Sequence, residues 1–223
     1  KSEIRALQQA SRNANDGISM VQTAEGSLDE ISGIAIRLRE LAEQAANGTL
    51  GQNERQFLDD EFQALTSEID RIAATTEFNG TQLIDGSGGA VAIQVGTGST
   101  ADDRIDLDFA TTVDAAALAL DTATLTGTDG SNARTAIDSL DSALTTITQT
   151  RASFGAVQNR LESTVRNLGV AVENLSAANS RIRDVDVAEE SANLTSLQIL
   201  QQAGVSVLAQ ANLAPQSALS LLG

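Results

Sequence analysis

The side chains with chemistry to offer in this sequence are nearly all carboxylates. Asp and Glu number 30 against 14 Lys and Arg, a formal net charge of −16, and His, Cys, Trp and Tyr are absent. Without thiols or imidazoles there is no disulfide, no zinc site built on Cys or His, no Cys or His nucleophile pair and no imidazole acid or base. Oxygen chemistry remains, and the pairs Asp59-Asp60, Asp102-Asp103 and Asp106 with Asp108 suggest calcium. Calcium needs roughly six converging oxygens, however, and no loop of about twelve residues closes on a Glu. These acids are expected to be solvated surface. Asp85-Gly86-Ser87-Gly88-Gly89 lacks the Gly-Lys-Ser/Thr ending that cradles phosphate and reads as a turn. Acidity argues against a nucleic-acid partner, since phosphate is bound by cations. The residues therefore point to a protein that is not an enzyme and carries no cofactor and no metal.

The elements that must position these residues are long helices. Only 2% of residues are aromatic although 41% are apolar, so the core must be built from Ala, Leu, Ile and Val, which suits helices packed along their length. Over residues 1–46 apolar positions return as Leu7, Ala14, Val21, Leu28, Ala35 and Ala42, with a second row at Ala10, Ala24, Ile31, Leu38 and Ala45. This is a coiled-coil-like stripe. Gly17, Gly26 and Gly33 weaken it and offer places for close approach, and Asn47-Gly48 is expected to cap its end. A stripe of Leu58, Phe62, Leu65, Ile69 and Ile72 predicts a second, antiparallel helix over 53–74.

Beyond it, two β-type runs predict a hairpin over 90–109. Residues 110–131 read as loop with one short helix at Asp114 to Leu120. Alternating three- and four-residue steps from Ile137 through Leu140, Leu144, Ile147, Phe154, Leu161, Val165, Leu168, Val172 and Leu175 to Ile182 then predict a helix over 132–183, with Arg151, Gln158 and Asn179 as polar seam positions. Such a helix is about 78 Å long and the first about 65 Å, whereas a globule of this size has a diameter near 45 Å, from a radius of gyration of about 17 Å. The expected fold class is mainly α, an elongated rod of coiled-coil-like helices with a small β-hairpin region.

The end of the chain differs in character. No charged side chain follows Glu190. Asp184, Asp186, Glu189 and Glu190 read as the capped start of a further helix that carries Leu194, Leu197, Leu200, Val205, Leu208 and Ala211 and ends near Pro215. Gln198, Gln201, Gln202, Gln210 and Asn212 make it too polar for a bilayer, and no run of about 20 apolar residues spans a membrane elsewhere. Burial against protein is the natural expectation for this segment.

Several long motifs in order carry a family resemblance. Ser11-Arg12-Asn13-Ala14-Asn15-Asp16-Gly17-Ile18-Ser19, then Gln22-Thr23-Ala24-Glu25-Gly26, Arg37-Leu38-Arg39-Glu40-Leu41-Ala42 and Glu77-Phe78-Asn79-Gly80 resemble the N-terminal region of bacterial flagellin. Ile199-Leu200-Gln201-Gln202-Ala203-Gly204-Val205-Ser206-Val207-Leu208-Ala209-Gln210-Ala211-Asn212 and Leu219-Ser220-Leu221-Leu222 resemble its C-terminus. The resemblance implies a secreted, self-polymerising subunit of the extracellular flagellar filament, divided into a rod domain over 1–183 and an inner-tube helix segment over 184–223. It implies as partners further copies in a helical homopolymer, a flagellar export chaperone, the filament cap and hook-associated proteins, and the vertebrate flagellin-sensing Toll-like receptor.

By their places in the motifs, Arg37, Leu41 and Glu61 match receptor-contacting residues of the family, on one mixed charged and apolar patch. Arg37 and Glu61 read equally as subunit packing surface on facing helices. Leu194, Leu197, Leu200 and Leu208 would contact the chaperone or the inner tube. Flagellins carry roughly one more helix ahead of Lys1, so the chain by itself is expected to stay monomeric, and its short centre resembles a minimal flagellin without outer domains. Two alternatives stand beside this reading: a hook-filament junction protein, and a flagellin-like surface protein that binds a ligand.

Overall fold

The computed structural model describes residues 1–183 and 187–220, with side chains for 1–182 and 188–211. The expected caps Asp184 and Asp186 lie outside the described residues. The chain divides into two compact units, Lys1–Asn174 and Leu175–Gly223. Element order is α1 (Ser2–Ala45), α2 (Gln52–Thr75), β1 (Glu77–Phe78), β2 (Thr81–Gln82), β3 (Gly89–Gln94), β4 (Arg104–Phe109), α3 (Ser131–Arg183) and α4 (Val187–Ser220).

In the first unit α1, about 66 Å long at the helical rise, supplies the main buried seam. Both of its heptad rows are buried from Ala10 to Ala45, and Leu7 is half-buried. Alanines at 14, 24, 35, 42 and 45 have no exposed surface, so neighbouring backbones come close without large side chains between them. Close approach is sharpest at Gly17, where a Cβ would stand 3.2 Å from Ile93 Cγ1 and 3.4 Å from Leu161 Cδ1. Gly26 and Gly33, also expected to admit a neighbour, face open space instead. Across the seam α3 buries Leu140, Ala143, Ile147, Phe154 and Leu161. Arg151 reaches Asp29 at 2.9 Å and Glu25 at 3.9 Å, so this polar seam position ties α3 to α1.

The buried stripe of α2 is Arg55, Asp59, Phe62, Thr66, Ile69 and Ala73. Its spacing is the expected one, but Leu58, Leu65 and Ile72 flank the stripe half-buried and polar residues take three of its places. Arg55, 1% exposed, donates from Nε to the Ala45 carbonyl at 2.8 Å, from Nη2 to Asn47 at 3.0 Å and from Nη1 to Gly127 at 3.1 Å. These are orphan carbonyls at the end of α1 and in the loop before α3. The expected Asn47-Gly48 cap is thus replaced: Ala46 stays in the right-handed helical region and Gly48 takes no positive φ.

Asp59 overturns the expectation of solvated acids in the same way. It is 7% exposed and accepts from Leu125 N at 2.6 Å and Thr124 Oγ1 at 3.0 Å. With Asp70 accepting from Ala115 N at 2.8 Å and Gln63 donating to the Ala123 carbonyl at 2.9 Å, it fastens residues 110–130 along α2. That segment buries Val113, Ala115, Leu118, Leu120 and Leu125. No helix forms over 114–120. Leu118 and Leu120 both point inward, a two-residue spacing that a helix cannot place on one face, and Ala119 turns at φ 55°.

β3 and β4 pair antiparallel from Gly89↔Phe109 to Gln94↔Arg104. Ile105, Leu107 and Phe109 face inward, and the Phe109 ring lies 5.6 Å from that of Phe154. Asp103, another member of the acidic pairs, accepts from Gly98 N, Thr100 N and Thr100 Oγ1, which closes the connection between the strands. The Thr100 hydroxyl, then the Gly98 amide, hold its carboxyl below the usual carboxylate range. Between β1 and β2, Asn79 and Gly80 at φ 49° and 80° make a two-residue turn of the hairpin-forming kind.

α4 runs through Pro215 to Ser220 rather than ending there; one proline removes a single ladder bond and need not stop a helix whose other bonds persist. Glu189 and Glu190 occupy its first turn, where they complement the helix dipole.

Replacing Arg55 by Ala is expected to cost about 3 kcal/mol, because three carbonyls at a buried corner lose their donor together. Urea unfolding followed by circular dichroism measures it; a loss below about 1 kcal/mol would show that solvent replaces the guanidinium freely.

Candidate interaction surfaces

The sequence-derived patch is half assembled. Arg37 leaves the outer side of α1 and meets Glu61 of α2, with Nη2 at 2.8 Å and Nε at 3.0 Å from Glu61 Oε1, while Nη1 reaches Glu40 at 3.0 Å. Both partners are about half exposed, at 50% and 46% of their side-chain surface. The hydrogen bond to Glu61, then that to Glu40, raises the guanidinium pKa above its ordinary value, so Arg37 stays charged at any physiological pH. Leu41, by contrast, is 1% exposed. Leu41 stands four positions after Arg37 but falls within the buried seam of α1, in the core with Leu38 and Ala42. The expected single charged and apolar patch is therefore an exposed ion pair above a buried leucine. Beside it Phe57 and Ile36 are 72% and 52% exposed, two large apolar side chains that the periodicity did not single out.

On α4 every described side chain from 188 to 211 is exposed. Leu194, Leu197, Leu200 and Leu208 are 58–65% exposed. At 3.6 residues per turn, Leu194, Leu197, Val205 and Leu208 share one face, Leu200 and Val207 lie on its flank, and Ile199 lies opposite. Apolar residues all round a helix belong to one that is enclosed by other protein or by a membrane. No described helix is long and apolar enough to cross a membrane.

The grooves of the first unit are open. One of about 480 Å³ between α1 and α2 carries Glu30, Glu68, Glu77 and Arg71. Glu68 is held below the usual carboxylate range by its hydrogen bond from Arg71, the reverse of what a general acid requires. Among the described residues no group of three or more acids is placed to hold a metal.

Sequence reasoning missed Arg55 and Asp59. Their signal was positional: stepping back from Phe62 by three and then four residues lands on both, inside the stripe where an apolar residue is expected.

A helical hairpin closed by a third long helix, with its outward features on extended helix faces, defines a structural protein that works through its surfaces. Residues 1–88 match the model of the bacterial flagellin N-terminal helical region and residues 137–222 that of the C-terminal helical region. The chain is 49% identical to the flagellin of Halalkalibacterium halodurans over 222 residues, covering 100% of this chain and 80% of that protein. It is 43% identical to the flagellar filament 33 kDa core protein of Treponema phagedenis, covering 100% and 82%. Among solved structures, the crystal structure of Bacillus cereus flagellin superposes with a TM-score of 0.62 at 36% identity, covering 75% of this chain and 94% of that one. The chain belongs to the bacterial flagellin family.

Exposed and buried members of the patch should separate on mutation. Leu41→Ala is expected to cost about 2–5 kcal/mol, as truncation in a packed core does, whereas Arg37→Ala leaves the thermal midpoint unchanged within error. Equal destabilisation by the two would contradict the burial described.

Proposed function

We propose that this protein is a structural subunit of the extracellular bacterial flagellar filament, polymerising through contacts between the helices of many copies. The observation that carries this reading is α4, a helix of 34 residues with apolar side chains on more than one face and all described side chains exposed. A single docking groove covers one face of such a helix; a bundle of copies covers them all. Heterologous contacts that do not close into a ring generate an open helix, which is the geometry of a filament. Before assembly the same surface needs cover, and Leu194, Leu197, Leu200 and Leu208 are the anchors that an export chaperone would take in an apolar groove. Cap and hook-associated proteins would meet it at the filament's ends.

Leu197→Asp with Leu200→Asp, in cells that export the protein, is expected to abolish filaments seen by electron microscopy and to leave the helicity and thermal midpoint of the purified subunit unchanged. Normal filaments from that variant would remove α4 from the assembly surface.

A second activity rests on the Arg37–Glu61 pair. In the free subunit this exposed ion pair beside Phe57 offers a Toll-like receptor a guanidinium oriented by two carboxylates, and Arg is among the residues that anchor interfaces. Arg37→Ala and Glu61→Ala are each expected to lower signalling in a receptor reporter assay while circular dichroism stays unchanged. A silent parent protein, or variants that signal normally, would contradict the reading. Leu41 is unsuited to this test because its loss perturbs the core.

A further inference from the structure

The tripeptide Asn-Gly-Thr occurs twice in the chain, at Asn47-Gly48-Thr49 and Asn79-Gly80-Thr81, and the fold gives its two copies opposite environments. We propose that Asn47 is a site of spontaneous deamidation in the folded protein, and that Asn79 is protected by the hairpin that holds it.

The reaction needs the Gly amide nitrogen, once its proton is lost to solvent hydroxide, to attack Cγ of the preceding Asn. The new N–Cγ bond closes a succinimide ring as the Cγ–Nδ2 bond breaks and ammonia departs with a proton. Water then opens the ring, giving aspartate by attack at Cγ or isoaspartate by attack at the main-chain carbonyl. Nothing is oxidised, and water is the sole co-reactant.

At Asn47 the ground state already leans toward this geometry. Asn47 Oδ1 accepts from Thr49 N at 3.2 Å, a side-chain turn that folds the carboxamide over the Gly48 peptide and brings Cγ alongside the Gly48 nitrogen. The same donor sits on the oxygen that gains charge during attack, which favours the step electrostatically. Among the described residues the Gly48 N–H makes no hydrogen bond, so its proton is open to base. Asn47 and Gly48 are both exposed, and a Cβ added at Gly48 meets nothing within 4 Å.

At Asn79 the torsion that must rotate to bring the Gly80 nitrogen to Cγ is fixed. Asn79 and Gly80 are the two central residues of the turn, both at positive φ, between the paired positions Phe78↔Thr81 and Glu77↔Gln82. Ring closure there requires the hairpin to open first.

The consequence falls on the corner described above. An isoaspartyl link routes the main chain through Cβ and Cγ and turns the Asn47 carbonyl, whose oxygen accepts from Arg55 Nη2, into a free carboxylate beside the chain.

The test incubates the whole protein in mildly alkaline buffer, folded and in urea, and follows both sites by peptide mass mapping with fragmentation that separates aspartate from isoaspartate. In urea the two sites should convert at similar rates because the two residues that follow each Asn, Gly and Thr, agree. In the folded protein Asn47 should convert about tenfold faster than Asn79 or more, one decade of rate. Gly48→Ala, which the open space accommodates, should slow conversion at Asn47 about tenfold with an unchanged circular dichroism spectrum. Equal rates at the two folded sites, faster conversion at Asn79, or a Gly48→Ala variant that converts like the parent would each overturn the proposal.

Discussion

Apolar helix surface must be covered, and with few aromatic residues this chain can cover it only by close lengthwise contact. A core of alanine and aliphatic residues has little depth, so burial comes from running helices side by side over many turns. α1 shows the consequence. Its alanine-rich rows have essentially no exposed surface because α2, α3 and β3 approach nearly to the backbone, most closely at Gly17. The helices leave no thick interior, and the open grooves between them follow from the same constraint.

Where the apolar stripe is interrupted, polar side chains keep the elements together. Arg55 takes the place of a glycine cap, Asp59 and Asp70 hold the 110–130 segment against α2, and Arg151 fixes α3 against α1 through Glu25 and Asp29. Each uses a charged group to satisfy backbone or side-chain partners that an irregular corner would otherwise leave unpaired. Along α4 every described side chain from 188 to 211 is exposed. Its leucines face outward on more than one side, and the demand for cover passes to other molecules.

Legibility in the sequence followed this division. The heptad rows of α1 and the alternation Ile105, Leu107, Phe109 were plain because a regular period maps directly onto a buried face. The stripe of α2 was read half a step to one side, since Arg55, Asp59 and Thr66 carry none of the hydrophobicity that marks a core position. The inward turn over 114–120 was hidden for a related reason: its Ala- and Leu-rich composition looks helical, and what holds it to α2 is the Asp70 carboxylate accepting from Ala115 N, distant in sequence. Of the surface residues, Arg37 and Glu61 were placed correctly on facing helices, while the burial of Leu41 depends on how α2 rolls against α1, which spacing along one helix cannot reveal.

On this account α4 is exposed in the free subunit and enclosed by other copies in the filament, whereas the α1 seam is buried in both. Amide hydrogen exchange, compared between free subunit and assembled filament, tests that most directly. Protection over residues 188–211 should rise sharply on assembly while that of the α1 seam from Ala14 to Ala45 stays unchanged. Equally fast exchange over 188–211 in both states would contradict the account.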